Sequence, residues 1–298
     1  VGALLAVGDP GELGSGDASL HSDVVAATIV TGNGRIVRIG GPLLIGQSPW
    51  ASGGMPDPLQ LIIGSSGRMA VLIDVTLRLH PAPWTSWASA SVGDDRAAFM
   101  SLLSAARRAT SKRLVDSVLV SAQGEVDVRA ATWRGEEDQP RLMTAVSALF
   151  NKHEIKLGRW RKEPRRERLG YDDGPWPRST DGEGPSISLH VSWPDAPAVH
   201  DLVAALTNMP GSPETATNWA LGADGLRVRC TCQGPAARHP LVQGARHLLD
   251  AGAVPIGVSA ALRDIARARM TPSSRVLTTA LSRAFDPDGV LAAKAGVL

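Results

Sequence analysis

Cysteine, phenylalanine and tyrosine are scarce in this chain: its 298 residues include two Cys, three Phe and one Tyr. Two cysteines cannot form the disulfide framework of a small secreted domain. A chain of this length buries about 75% of the surface that its unfolded state exposes, so it can be stable without disulfide bonds. Cys230 and Cys232 alternate along one predicted strand, and buried strand cysteines are favoured over a zinc site, which takes about four ligands.

Long apolar runs and a strong excess of charge are also absent. No stretch reaches the ~20 apolar residues that a membrane-spanning helix needs, and the opening residues lack the basic region of a secretory signal. The formal net charge is +2, which argues against a nucleic-acid platform because such proteins concentrate basic surface. These absences predict a cytoplasmic protein without a transmembrane segment, bound nucleic acid or a metal site.

Short strands and glycine-rich turns fill the first 82 residues. A hairpin is predicted from Val24 to Val30 and from Arg35 to Ile39, because the Gly-Asn-Gly sequence between them supplies positive φ at little cost. The segment LIIGSSGRMAVLIDVTLRLHP then places a glycine-bearing turn before a strand with period-two alternation. Residues 80–87 are predicted to be an inter-domain link.

Helical and strand spacing then alternate through the rest of the chain, which predicts an α+β fold with helices on one face of an antiparallel sheet. Helices are expected at 94–109, 139–153, 197–206 and 240–251, and strands within 114–133, 186–192 and 226–232. A chain of 298 residues is expected to form one large or two modest domains.

Catalytic motifs of known spacing are lacking. The chain has no nucleophile elbow between a strand and a helix, no phosphate-binding Walker loop and no dinucleotide fingerprint. The turn at 64–67 therefore has two interpretations. Its glycines allow the backbone to approach either a ligand, whose electron-rich atoms the N–H groups favour, or merely a neighbouring strand.

Four segments together resemble the FAD-linked oxidase family, which has a vanillyl-alcohol-oxidase-type flavin domain. They are VGALLAVGDPG, SDVVAATIVTGNGRIVRIGG, LIIGSSGRMAVLIDVTLRLHP and LTTALSRAFDPDGVL. The third is the most specific, since it follows the family pattern G-S-x-G-T-L-G-V-I-T-E-V-T-L-R-L-H-P. The likeness is closest to the FAD-binding subunit of bacterial glycolate oxidase.

This resemblance implies the C-terminal part of an FAD-binding domain over 1–82, an α+β cap domain with an antiparallel sheet over 83–270, and a helix within 271–298 that returns to the FAD domain. The family's first flavin subdomain would precede Val1. The implied activity is hydride transfer from a small 2-hydroxy acid to FAD. The implied partners are a second flavoprotein subunit and an iron–sulfur subunit, which would place the chain in the cytoplasm or at the inner membrane through those partners.

The resemblance also implies which residues lie against the flavin, taken position by position. They are Gly2, Asp23, Val24, Gly64, Ser65, Gly67, Met69 and Val71. It does not identify a catalytic base. A cap arginine would suit a substrate carboxylate through bidentate pairing, with Arg134 and Arg263 as candidates.

Departures from the family pattern favour an alternative. Arg68 replaces the usual Thr and Ala70 the usual Gly, and LLIGQSPWASGGMPD lacks the Lys, Asn and Tyr of the family's K-N-V-A-G-Y-D loop. The alternative is a degenerate, non-catalytic assembly subunit that retains the fold without competent FAD binding.

Overall fold

The computed structural model describes residues 23–40, 58–63, 65, 67–79, 81–93, 95–121, 124–162, 186–207, 215–222, 225–232, 240–258 and 271–291. These residues fall into two compact units. Unit 1 contains the described residues between 23 and 79 together with 271–291, and unit 2 contains those between 81 and 258.

Unit 1 is built on a three-stranded antiparallel sheet in the order β2–β1–β3. The strands are β1 (Val24–Thr31), β2 (Ile36–Gly40) and β3 (Ala70–Leu77). The predicted hairpin is confirmed, with Gly34 at a φ of 77° in its turn. One sheet face forms the core with the short helix α1 (Leu59–Ile62), and Leu281 and Phe285 of a C-terminal helix pack against this core.

The end of that C-terminal helix lies directly against the β1–β2 turn. The Phe285 carbonyl accepts a hydrogen bond from the Gly32 N–H at 2.8 Å, and the Asp286 carboxylate accepts from the N–H groups of Val290 and Leu291 at 2.9 and 2.8 Å. A Cβ at Gly32 would lie 2.8 Å from the Asp286 Cα. The Phe-Asp-Pro segment therefore has a structural role in unit 1, where it fixes the helix end to the hairpin.

Unit 2 contains a seven-stranded sheet in the order β10–β7–β9–β8–β5–β6–β4, and its neighbouring strands pair antiparallel. Its strands are β4 (Trp84–Ser91), β5 (Ser117–Val120), β6 (Glu125–Thr132), β7 (Ser186–Val191), β8 (Thr215–Leu221), β9 (Leu226–Cys232) and β10 (Val254–Val258). Its helices are α2 (Arg96–Ser111), α3 (Gln139–Asn151), α4 (Ala196–Thr207) and α5 (Pro240–Asp250), and α6 (Pro272–Phe285) is the C-terminal helix of unit 1.

Aromatic contacts identify the face of this sheet on which the helices pack. Phe99 of α2 stacks on His200 of α4 with ring centroids 4.2 Å apart and meets Trp219 of β8 edge-on at 5.2 Å. Trp219 is paired in register with Val120, and Val120 is buried, so both side chains lie on the helical face. The predicted α+β class, with helices packed on antiparallel sheet, is thereby confirmed.

Three parts of the secondary-structure prediction need correction. The predicted link 80–87 is wrong at its end, because Trp84 already begins β4, the edge strand of the large sheet. Strands β8 and β10 were not predicted at all. Strand β4 alternates small residues such as Ala88 and Ala90, which are weak strand formers, so only pairing with β6 reveals it.

Candidate functional site

The glycine turn before β3 has no described neighbour on the side where a Cβ of Gly67 would point. The Ser65 carbonyl accepts a hydrogen bond from the Arg68 N–H at 3.1 Å, which closes a four-residue turn. Gly67 occupies its third position with a φ of 74°, a conformation that glycine adopts without strain. A Cβ at Gly67 would meet no atom of the described residues within 4 Å. Packing against a neighbouring strand therefore does not explain this glycine.

The side chain of Ser65 lacks a partner at the same turn. Its Oγ is buried and makes no hydrogen bond within the described residues. A buried hydroxyl left unpaired costs about 1–3 kcal/mol, so such an atom indicates a group that a ligand would supply. The orphaned hydroxyl and the open glycine together fit a polar cofactor at this strand entrance. Gly64 lies outside the described residues.

Other predicted flavin contacts have different surroundings. Val24 and Met69 are buried in the core of unit 1, so their side chains contribute to packing. Val71 is 51% exposed on the other sheet face, where it pairs with Val30. Gly2 lies outside the described residues.

The register of β1 and β3 separates the predicted residues into two groups. Val24 pairs with Leu77 at one end of the sheet, whereas Thr31 pairs with Ala70 at the other. Seven residues of strand span about 23 Å. The structure therefore brings Ser65 and Gly67 together but places Asp23 and Val24 at the far end of the sheet.

A row of polar side chains that the sequence prediction missed lies in unit 2, on the sheet face opposite the helices. Ser117 of β5 pairs with Arg129 of β6, Arg129 pairs with Trp87 of β4, and Trp87 forms a bridge with Arg161 outside the edge strand. These four residues are termed the arginine row. Since register partners share a sheet face, all four side chains lie on the same side.

Burial and charge are unusual at the inner end of this row. The Arg129 side chain is only 11% exposed, lies over the Trp87 ring at 5.6 Å, and has its Nε 3.4 Å from an Asp116 oxygen. Burial raises the pKa of Asp116 to about 6, and the charge of Arg129 opposes the rise. The Arg129 Nε and the Ser117 Oγ are both buried without a hydrogen-bond partner among the described residues.

At the Arg161 end of the row, hydrogen bonds connect three side chains in series. Arg161 donates from Nη2 to the Ser89 hydroxyl, and that hydroxyl donates to the Asp127 carboxylate. The same Nη2 lies 3.8 Å from the nearer Asp127 oxygen, and Asp127 is 3% exposed. The Arg161 side chain is 30% exposed, and its contacts to described residues engage Nη2 alone among the guanidinium nitrogens.

The sequence prediction of a cap arginine named Arg134 and Arg263 and did not single out Arg129 or Arg161. Arg134 projects into solvent with 85% of its side chain exposed, 4.0 Å from Asp138. Arg263 lies outside the described residues. The useful signal was the alternation Glu-Val-Asp-Val-Arg in β6, which puts charged residues on one face of a strand whose valines are buried.

A second ion pair belongs to the helical face. Arg96 of α2 donates two hydrogen bonds to Asp201 of α4 at 2.7 and 2.8 Å, and these lower the pKa of Asp201 to about 2. Both side chains are about half exposed, so the pair joins two helices at the surface.

Within the part of the chain that the structure describes, no group of three or more His, Cys, Asp or Glu is arranged to hold a metal ion. No described helix is long and apolar enough to cross a membrane.

No family model matches the sequence, and no curated protein matches it. Solved structures do match the fold. A p-cresol methylhydroxylase with bound substrate aligns over 93% of this chain with a TM-score of 0.68 and 15% identity. A 4-ethylphenol oxidase from Gulosibacter chungangensis aligns over 94% with a TM-score of 0.70 and 12% identity.

A VAO-type flavoprotein from Myceliophthora thermophila aligns over the whole chain with a TM-score of 0.58 and 14% identity. The chain spans 65%, 67% and 61% of the lengths of these three structures. At such low identity, the likeness concerns the fold and does not extend to the activity. The chain therefore has the α+β fold of VAO-type flavoproteins.

Proposed function

We propose that this chain is an FAD-linked oxidoreductase subunit that oxidises a small 2-hydroxy acid. Three observations support the proposal. The chain shares its fold with VAO-type flavoproteins, no described atom lies within 4 Å of a Cβ added at Gly67, and the Ser65 hydroxyl is buried without a partner in the described residues. The turn is the observation on which the proposal depends most.

The residues of unit 1 would hold the cofactor through its polar atoms. The backbone at Gly67 can approach a ring or phosphate oxygen because no side chain intervenes. The Ser65 hydroxyl would supply a hydrogen bond that the described residues do not use. When bound, FAD accepts a hydride from a substrate carbon, and the protein contributes orientation and exclusion of water.

The finer parts of the proposal follow the resemblance to glycolate oxidase subunits. The substrate would be glycolate or lactate, oxidised to the 2-oxo acid as its hydride passes to the flavin and its hydroxyl proton to a base. The electrons would leave through a second flavoprotein subunit and an iron–sulfur subunit. A segment equivalent to the family's first flavin subdomain would complete the site.

FAD titration of two glycine variants tests the cofactor site. We expect Gly67→Asn to weaken FAD binding at least about tenfold, because asparagine tolerates positive φ and its side chain fills the open space. Gly34→Asn is the matched control: Gly34 has a φ of 77° and also no described neighbour within 4 Å of an added Cβ. Equal FAD affinity in the two variants, or a parent protein that takes up no FAD, would contradict the cofactor proposal.

A second pair of variants separates binding from stability. Ser65→Ala should weaken FAD binding while leaving the free energy of unfolding of the apoprotein unchanged or raised, because an unsatisfied buried hydroxyl is removed. Ser282→Ala is the control, since Ser282 in α6 also has a buried Oγ without a partner among the described residues. Unchanged FAD binding in Ser65→Ala removes this residue from the proposed site.

Anaerobic reduction of the bound flavin tests the substrate. Glycolate or lactate should bleach the flavin absorbance bands, whereas p-cresol should not. Bleaching by p-cresol alone would replace the 2-hydroxy acid with a phenol. A chain that remains colourless but associates with a flavoprotein would support the non-catalytic assembly subunit instead.

A further inference from the structure

We infer that the arginine row of unit 2, with Asp116, Asp127 and Ser89, forms a binding site for a small monoanionic carboxylate. The inference uses contacts within unit 2 alone and does not require FAD. If the proposed function holds, it identifies the residues that recognise the acidic group of the substrate.

The first reason is that two buried hydrogen-bond donors have no acceptor among the described residues. Arg129 is nearly buried, yet its Nε forms only a 3.4 Å ion pair with Asp116 and no hydrogen bond within the described residues. Its register partner Ser117 is 1% exposed and has an equally unpaired Oγ. Buried polar atoms are almost always paired in native proteins, so two neighbouring donors without an acceptor among the described residues are what a bound acceptor would pair.

The placement of the second arginine is the other reason. Arg129 on β6 and Arg161 in the segment bridged to β4 flank Trp87 on its two sides, so their backbones lie about 10 Å apart. Arg161 is anchored through Nη2 by Ser89 and Asp127, which leaves Nε and Nη1 without contacts among the described residues. Both forked edges of a guanidinium include Nη2, which carries two hydrogens. Whichever of them Ser89 accepts, the other hydrogen and its neighbouring nitrogen form a planar fork that matches a carboxylate.

Charge balance selects a monoanion. Two arginines face two aspartates in this cluster, which gives a formal charge of zero when all four are ionised and +1 when Asp116 is protonated. A single negative charge neutralises the protonated cluster, whereas a dianion such as sulfate would leave excess negative charge buried, which is costly. The indole of Trp87 would form the apolar side of the site.

Binding should be coupled to proton uptake. Asp116 competes with an incoming carboxylate for the positive charge of Arg129. Because its pKa is raised to about 6, Asp116 can take up a proton, and the neutral acid no longer competes. The other charged or titratable groups that the register places on this face are Glu125 and Asp127 from β6, Arg161 beside β4 and, farther across the sheet, Arg227 of β9 and His190 of β7. Because Asp116 is neutral below pH 6 and charged above it, affinity should fall by about tenfold between pH 5 and pH 8.

Calorimetric titration of the full chain with acetate and with glycolate, without added FAD, tests the site. At pH 5 we expect saturable binding of both, and Arg161→Gln should weaken it about tenfold or more, the usual cost of a lost charge-assisted hydrogen bond. Arg161→Lys should recover only part of the affinity, because lysine lacks the planar fork. Arg134→Gln, an exposed arginine outside the row, is the matched control and should bind as the parent does.

Several outcomes would overturn the inference. They are no carboxylate binding by the parent protein at pH 5, equal affinity in Arg161→Gln and Arg134→Gln, or inorganic sulfate binding more tightly than acetate. Asp116→Asn mimics the protonated acid and should abolish the pH dependence; if the variant keeps it, the coupling to Asp116 is wrong. Since no flavin is present, a failure here leaves the cofactor proposal standing, and a colourless protein that binds acetate leaves this inference standing.

Discussion

At the scale of single residues, the strongest effects come from polar groups that are buried without full compensation. Asp116 is the clearest case, because its side chain is 15% exposed, and the charge of Arg129 together with hydrogen bonds from the backbone of Asp116 and Ser117 only partly offsets the loss of water. Ser65 and Ser117 have buried hydroxyls without a partner in the described residues. Such atoms reduce stability, and their position at the two candidate sites is the main reason for assigning those sites a function.

Asp116 should make the stability of the protein depend on pH. Its folded-state pKa of about 6 lies above the ordinary value, so the native state holds this proton more tightly than the unfolded chain does. Stability therefore decreases as the pH rises from about 4 to 6, and the loss is complete above that range, at about 3 kcal/mol. In Asp116→Asn this titration is absent, so urea unfolding should show the variant gaining about 3 kcal/mol relative to the parent between pH 3.5 and pH 7.

The control for this measurement is Glu136→Gln, because Glu136 is 58% exposed on the surface of the same unit. A constant difference between Asp116→Asn and the parent over this pH range would show that burial does not raise the pKa of Asp116.

At the scale of elements, the residues that precede the first turn determine where each helix begins and how well its first N–H groups are paired. Helix α2 begins after Asp95, whose carboxylate accepts hydrogen bonds from the N–H groups of Ala97 and Ala98 at 3.1 and 3.3 Å. Helix α3 begins after Asp138, which makes no such side-chain bond. The same residue type therefore caps one helix and not the other.

We expect Asp95→Ala to lower the free energy of unfolding by about 1 kcal/mol, because two N–H groups of the first turn lose their acceptor. Asp138→Ala is the matched control and should cost only a few tenths of a kcal/mol, from the lost interaction with the helix dipole. Urea denaturation of the two variants measures both values. Equal losses would show that the cap of α2 contributes nothing beyond its charge.

At the scale of the whole molecule, each unit encloses its own apolar core. Ile29 is fully buried in the core of unit 1, beneath the sheet and against α1. Leu102, Val118 and Val128 are fully buried between the sheet and the helices of unit 2. A separate core is the physical basis on which a unit can unfold by itself.

Native-state hydrogen exchange should reveal this division. Ile29→Ala creates a cavity that costs about 2–5 kcal/mol, and we expect the loss of protection to be confined to the amides of β1, β2 and β3. Leu102→Ala should act in the same way on β5, β6 and β8. An equal loss of protection in both units from either variant would show that the chain unfolds as one cooperative body.

Local sequence was enough to predict much of this protein. The hairpin around Asn33 and Gly34, the helices α2 and α3, and the strand β9 follow from turn chemistry and from apolar spacing, which act between residues close in the chain. The glycine-bearing turn before β3 was likewise visible, because glycine at a strand entrance has few explanations.

Only the tertiary structure decided the rest, because it depends on which strands become neighbours. Strand β4 is stable through its pairing with β6, and that pairing also sets Trp87 between Arg129 and Arg161, residues from three separate segments. The pairing of β1 with β3 placed Asp23 far from Gly67, although the resemblance had grouped them together. Sequence spacing fixes which side of a strand a residue faces, but sheet register determines what lies beside it.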